Sequence, residues 1–157
     1  MGGDNIKSLE VSMKKYFINV TNHPSVRWRV EQLEAAKHFH EELILTVDED
    51  VSENIIIDIP FPDVPASADM NDIRRMAEEL VSTIMKYEKP FEKIISGVLI
   101  QGEMTLTFAT VSLLNDYEVW SVAACSERSV KEKILPDGST EKISVFNFVQ
   151  FRPYDYN

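Results

Sequence analysis

The chain has 157 residues, 44% of them hydrophobic and 27% charged, with five Gly, seven Pro and a single Cys. That is the size and composition of one globular domain, and it excludes the collagenous, low-complexity and disordered classes. Sixteen Lys and Arg against 26 Asp and Glu leave a net charge of −10, which argues against duplex nucleic acid as a partner because a polyanion would meet a like-charged body. A small anion held by backbone N–H groups stays open. No apolar run approaches the roughly 18 residues of a membrane span. The N-terminus lacks the basic and apolar regions of a secretory signal. The lone Cys125 cannot close an internal disulfide, so the expected setting is cytoplasmic.

In chain order, the polar residues 1–12 are expected to form a flexible extension, and residues 13–157 a single domain. Tyr16–Val20 is a short apolar run ended by Thr21-Asn22-His23-Pro24, a strand followed by a turn. Val26, Val30, Leu33 and Ala36 recur at helical spacing, with Ser25 placed to cap that helix. His40–Glu53 carries Asp48, Glu49 and Asp50 and reads as a solvated acidic loop. It has neither the alternating ligands nor the Gly of a calcium loop. Asn54–Ile59 is a β-branched strand closed by Pro60-Phe61-Pro62. Asp69–Tyr87 is the clearest amphipathic helix, with Ile73, Met76, Ala77, Leu80, Val81 and Ile84 on one face and Asp69 and Asp72 at its positive end.

Ile94–Ile100 reads as a strand, Thr105–Leu114 as a nearly all-apolar helix, and Val119–Ala124 as another strand. Val130–Phe151 holds two alternating runs around Pro136-Asp137-Gly138-Ser139, the spacing of a β-hairpin. Strand and helix thus alternate, and Asn54–Ile59 and the run Gly97-Val98-Leu99-Ile100 are nearly continuous apolar stretches. The pattern predicts an α/β, Rossmann-like, mostly parallel sheet with helices on both faces and a C-terminal antiparallel β-hairpin.

An open parallel sheet binds ligands beyond the carboxyl ends of its strands, where strand order reverses. For an order 2-1-3-4 that point lies between the first and third strands. Thr21, Asn22, His23 and Ser25 follow the first; Gln101, Gly102, Glu103 and Thr105 follow the third; Ser126, Glu127 and Arg128 follow the fourth. Two helix starts, at Ser25 and near Met104, are expected to point unpaired N–H groups into the crevice, which suits a phosphate. Gly102 is expected to let the backbone approach the ligand, and Arg128 offers a planar fork for phosphate oxygens.

Each residue also has an ordinary reading. Asn22 and Ser25 suit a turn and a cap, and His23 suits a surface turn. Glu103 can pair with Arg128 or hold a ribose hydroxyl. Thr105 and Thr107 can bond back within their helix. Trp28 reads as packing, Glu34 with His38 as a solvated pair, and Cys125 as a buried strand-end thiol. GxGxxG, GxxxxGK[ST], GxSxG and HExxH are all absent from the sequence, and no metal or cofactor is expected.

The segments Asn22-His23-Pro24-Ser25 with Trp28 and Gln32-Leu33-Glu34, Ile57-Asp58-Ile59-Pro60, Gln101-Gly102-Glu103-Met104-Thr105 and Cys125-Ser126-Glu127-Arg128 resemble small CRISPR-associated Rossmann-like proteins related to CARF domains and stand-alone ring nucleases. The likeness covers roughly Lys14 to Arg152. It departs from that pattern at acidic Glu103, inside what is otherwise a Gly/Thr-rich loop, and at His40–Glu53. The resemblance implies a homodimer that binds a cyclic oligoadenylate second messenger in antiviral defence. It also implies metal-free cleavage by attack of a ribose 2′-hydroxyl on the adjacent phosphorus. Carried onto this chain, residues near Asn22–Ser25 and Gly102–Thr105 hold phosphates, Arg128 stabilises the developing charge and His23 transfers a proton.

Two other classes compete. A nucleoside- or nucleotide-processing hydrolase or transferase would use Glu103 as nucleophile or acid–base carboxylate and Asn22 on the sugar. An interaction domain would present Phe146, Phe148, Phe151 and Tyr154 to a partner, although their alternation is that of a buried sheet face or dimer seam.

Overall fold

Five strands form one sheet in the order β2-β1-β3-β4-β5, in a computed structural model that describes residues 14–39, 53–88 and 94–154. The expected extension over 1–12, and all of the acidic segment 40–53 except Glu53, lie outside the described residues. The strands are β1 (Tyr16–Val20), β2 (Ile55–Asp58), β3 (Ile95–Ile100), β4 (Ser121–Ile134) and β5 (Thr140–Pro153). The first three and the root of β4 run parallel, and β5 returns antiparallel to β4. Strand order therefore reverses between β1 and β3, the order on which the expected site was conditioned and which the sequence itself leaves open.

The two central strands, β1 and β3, are buried on both faces and mostly apolar, interrupted by Asn19 and Ser96. By contrast β2, for all its apolar run, is an edge strand that stays partly exposed. Alternate side chains feed two cores. Phe17 and Leu99 join Ala36, Val122 and Phe151 under α1 (Val30–Lys37). Ile18, Val20, Val98 and Ile100 pack beneath α2 (Met70–Met85) and α3 (Met104–Asp116) on the other face. α2 starts where Asp69 predicts: the Asp72 N–H donates to Asp69 Oδ1 at 2.8 Å and the Asp69 N–H donates to Asp72 Oδ2 at 3.0 Å, a reciprocal cap. No helix among the described residues is long and apolar enough to cross a membrane.

Two elements differ from expectation. The first helix does not start at Ser25. Residues Ser25–Arg27 form a single 3-10 turn, Trp28 and Arg29 are extended, and α1 begins at Val30 with no side-chain cap. Val26 and Val30 are 85% and 66% exposed, so their helical spacing marks no buried face. From that series only Ala36 joins the core, and Leu33 is half-buried.

The other difference is that Val119–Ala124 and the first arm of the hairpin are one continuous strand, β4. Its parallel pairing to β3 ends at Leu99 with Val122. The chain then runs straight on, because Cys125-Ser126-Glu127-Arg128 contains no Gly or Pro to turn it. An irregularity in the β4–β5 register between Cys125 and Ser126 marks the passage from sheet to ribbon. The hairpin closes over Pro136–Ser139 as predicted. Gly138 takes φ +85°, and Asp137 Oδ1 accepts from the Ser139 N–H at 2.9 Å.

Candidate functional site: a cleft at the carboxyl edge of the sheet

The loop leaving β1 is tied down from below. Asn19, 1% exposed, sits opposite Asp58 in the β1–β2 register. Its amide donates to Asp58 Oδ1 at 2.8 Å and to the His23 carbonyl at 2.9 Å. Thr21 Oγ1 lies 2.9 Å from Asn19 Oδ1, to which it donates, and accepts from the His23 N–H at 3.1 Å. Asp58 reaches on to Ser25, accepting from its N–H at 3.1 Å and its hydroxyl at 2.8 Å. The Trp28 indole N–H also donates to the His23 carbonyl, at 3.1 Å. Buried Asn19 and Thr21, with Asp58 at the exposed end of β2, thereby fix the turn that carries His23 to Arg29 across the sheet edge.

Beside that turn opens a cleft of about 530 Å³. Leu99 forms part of its floor, and Gln101 and Ser126 lie at the ends of β3 and the root of β4. Arg27, Trp28 and Arg29 line one side with Gln32 behind them, while Phe146 and Phe148 of β5 line the other. Among the described residues, no Asp or Glu lines it. The Arg27 guanidinium has no hydrogen-bond or ion-pair partner among the described residues, and Arg29 Nη1 donates to the neutral Asn147 Oδ1 at 3.2 Å. In a chain of net charge −10 this is a local patch of positive potential. Distant surface carboxylates do not cancel it, since screening cuts their reach to about 8–10 Å.

The structure places the expected site residues unevenly. Thr21, His23, Gln101 and Ser126 line the cleft. Thr21 is buried and its hydroxyl is engaged within the loop. Gln101 accepts from the Ala124 N–H at 3.0 Å and so extends the β3–β4 ladder with its side chain. Ser25 and Asn22 lie outside the lining, and the Ser25 hydroxyl is spent on Asp58. Arg128 lies further out along β4, opposite Phe146, and donates to Ser144 Oγ at 3.0 Å; it forms no pair with Glu103.

The two expected open helix starts are also corrected. Ser25 begins only a three-residue turn. The N-terminus of α3 is already filled by Glu103, whose carboxylate accepts from the Thr105 N–H at 3.1 Å, the Leu106 N–H at 2.8 Å and the Thr105 hydroxyl. Gly102 serves packing rather than ligand approach, because a Cβ there would sit 2.4 Å from the buried Phe61 ring. The Thr105 hydroxyl, with the backbone N–H groups of Leu106 and Thr105, holds the Glu103 carboxyl below its ordinary 4.5.

A lowered carboxyl favours the folded chain above about pH 4.5, and that contribution fades as pH falls through the folded value. Glu103→Gln is therefore expected to lower the melting temperature at pH 7 and to match the wild type near pH 3, read by thermal melts at both values.

Arg27, Arg29, Gln32 and Phe146 are the lining residues that motif spacing does not single out. The available signal is the basic–aromatic–basic triplet Arg27-Trp28-Arg29 in an acidic chain. It is masked by the apolar spacing that reads there as a helix. The aromatic residues of the last strand divide: Phe151 is buried, Phe148 packs partly against the same core, Tyr154 donates its hydroxyl to the Ile100 carbonyl at 2.8 Å, and Phe146 stays 61% exposed. Trp28 both packs near Phe151, at 6.4 Å between ring centroids, and lines the cleft. His38 lies 3.3 Å from Glu34, the surface pair the spacing predicts.

The chain is an open α/β sheet with a cationic, aromatic-walled cleft at the reversal of strand order, the place where sheets of this class bind their ligands. Residues 15–152 match the model of the Uncharacterized protein MJ1673 family, and the chain belongs to that family. No curated protein and no solved structure matches it significantly.

Proposed function

We propose that this chain is a cytoplasmic CARF-like protein that binds a cyclic oligoadenylate in the β1–β3–β4 cleft, as part of CRISPR-linked antiviral signalling. One observation carries the reading: among the described residues, a cleft at the strand-order reversal is lined by two arginines, one imidazole and three aromatic rings and by no carboxylate. Guanidinium forks match phosphodiester oxygens, and aromatic faces accept adenine. The resemblance of the loop segments to CARF-related proteins supplies the ligand class.

Ring cleavage extends the same reading. The ribose 2′-oxygen bonds to the adjacent phosphorus and the bond to the 5′-oxygen breaks. The 2′-hydroxyl proton is passed on and the 5′-oxygen gains one, leaving a 2′,3′-cyclic phosphate. His23 is the side chain in the cleft suited to that transfer, and Arg27 or Arg29 suits the charge on phosphorus. Glu103 is committed to its helix cap, so the hydrolase reading that relies on its carboxylate gains no support.

The experiment is calorimetric titration with cyclic tri-, tetra- and hexa-adenylate in EDTA, followed by chromatography of the incubated ligand. Saturable binding of one ring size, lost in Trp28→Ala, is the expected result. Absence of binding for all three rings overturns the proposal.

A further inference from the structure

Beyond Ser126 the last two strands leave the sheet as a bare two-stranded ribbon. Residues 130–134 and 136–144 are all exposed, although β4 and β5 stay paired from Arg128 with Phe146 out to Ile134 with Thr140. A two-stranded ribbon is marginal in water unless one face is covered. Residues directly opposite in an antiparallel pair share a face, so one face carries Arg128, Val130, Glu132 and Ile134 on β4 and Phe146, Ser144, Lys142 and Thr140 on β5. This face holds the ribbon's most exposed apolar groups, with Ile134 76%, Phe146 61% and Val130 57% accessible. The opposite face holds Ser129, Lys131 and Lys133 with Val145 and Ile143, and Ile143 is only 38% exposed.

The charges on the apolar face identify what covers it. Arg128 and Glu132 stand two residues either side of Val130 on β4, and Phe146 and Lys142 stand two residues either side of Ser144 on β5. Val130 and Ser144 are themselves opposite partners. A two-fold axis through that pair sets Arg128 of one chain against Glu132 of the other, and Phe146 against Lys142. Every charge then meets an opposite charge or an aromatic face, and Val130 packs on its own copy at the centre. This two-fold self-complementarity is what an isologous contact between copies requires and an unrelated partner does not.

We propose that the ribbon is an isologous docking surface for a second copy of this chain, centred on Val130. The inference deepens the proposed function by naming a surface for the homodimer that the resemblance implies, and Phe146 belongs both to this face and to the wall of the cleft.

Two measurements test it. In a Cys125→Ser background, Val130→Cys is expected to cross-link efficiently with a short bismaleimide, and Ser129→Cys, on the other face, is not. Equal or greater cross-linking at 129, or none at 130, overturns the proposal. By sedimentation at micromolar concentration, Arg128→Glu and Glu132→Arg are each expected to weaken self-association at least about tenfold, while the double swap restores it. A wild type that stays monomeric, or a double swap no better than the singles, also overturns it.

Discussion

Replacing Arg27 and Arg29 together by glutamate is expected to weaken cyclic oligoadenylate binding by a factor of roughly 10² to 10⁴. Each guanidinium that hydrogen-bonds a phosphate contributes on the order of 1.5–3 kcal/mol, and tenfold in affinity is about 1.4 kcal/mol. The fold should be little affected. Arg27 has no protein partner among the described residues, Arg29 gives up one contact to Asn147, and a glutamate at the first end of α1 complements the helix dipole. The control is Arg74→Glu with Lys86→Glu. Both are exposed and belong to α2 and its C-terminal end, on the other face of the sheet. It changes the net charge equally, yet should leave affinity within about threefold, because charge beyond a Debye length is screened. Equal losses in the two double variants would show that overall charge, not the cleft, governs binding.

Asn19→Ala is expected to cost roughly 2–3 kcal/mol and to lower the melting temperature of a chain this size by about 5–10 °C. The substitution removes the amide that joins Asp58 to the His23 carbonyl, and the acceptor of the Thr21 hydroxyl, all around a site 1% exposed. Asn19→Asp should be at least as damaging, since two carboxylates would then share the 2.8 Å contact now made to Asp58. Because the same bonds hold the turn bearing His23 and Arg27 to Arg29, ligand affinity should fall along with stability. Thermal melts and titration on the same samples check both. An Asn19→Ala protein with wild-type stability would mean that the network is decorative.

Much of the architecture is written locally. The apolar runs of β1 and β3, the Asp69 cap and apolar stripe of α2, and the Pro136–Ser139 turn depend on residues within one turn or one strand of each other. Periodicity reads such elements directly. A mostly parallel sheet follows from alternating strands and helices joined by right-handed crossovers, whereas the reversal between β1 and β3 is read only from the folded chain. Where two local signals competed, reading failed. Val26 and Val30 have helical spacing but no core to meet, and nothing in the residues around Cys125 says where a strand leaves its neighbours.

The parallel sheet and the residue types following each strand were therefore determined by the amino-acid sequence alone, and the strand order that places the cleft by the tertiary structure. Which of those residues face the cleft was decided only by tertiary structure. Glu103 folds back onto its own helix, Gly102 yields its space to the Phe61 ring, and Arg128 is carried out along the ribbon. Arg27 and Arg29 come to face Phe146 and Phe148, more than a hundred residues away along the chain. The physical reason is that a hydrogen-bonding group goes to whichever partner the folded chain brings nearest. Sequence spacing states which partners are local and is silent about those supplied by a distant strand.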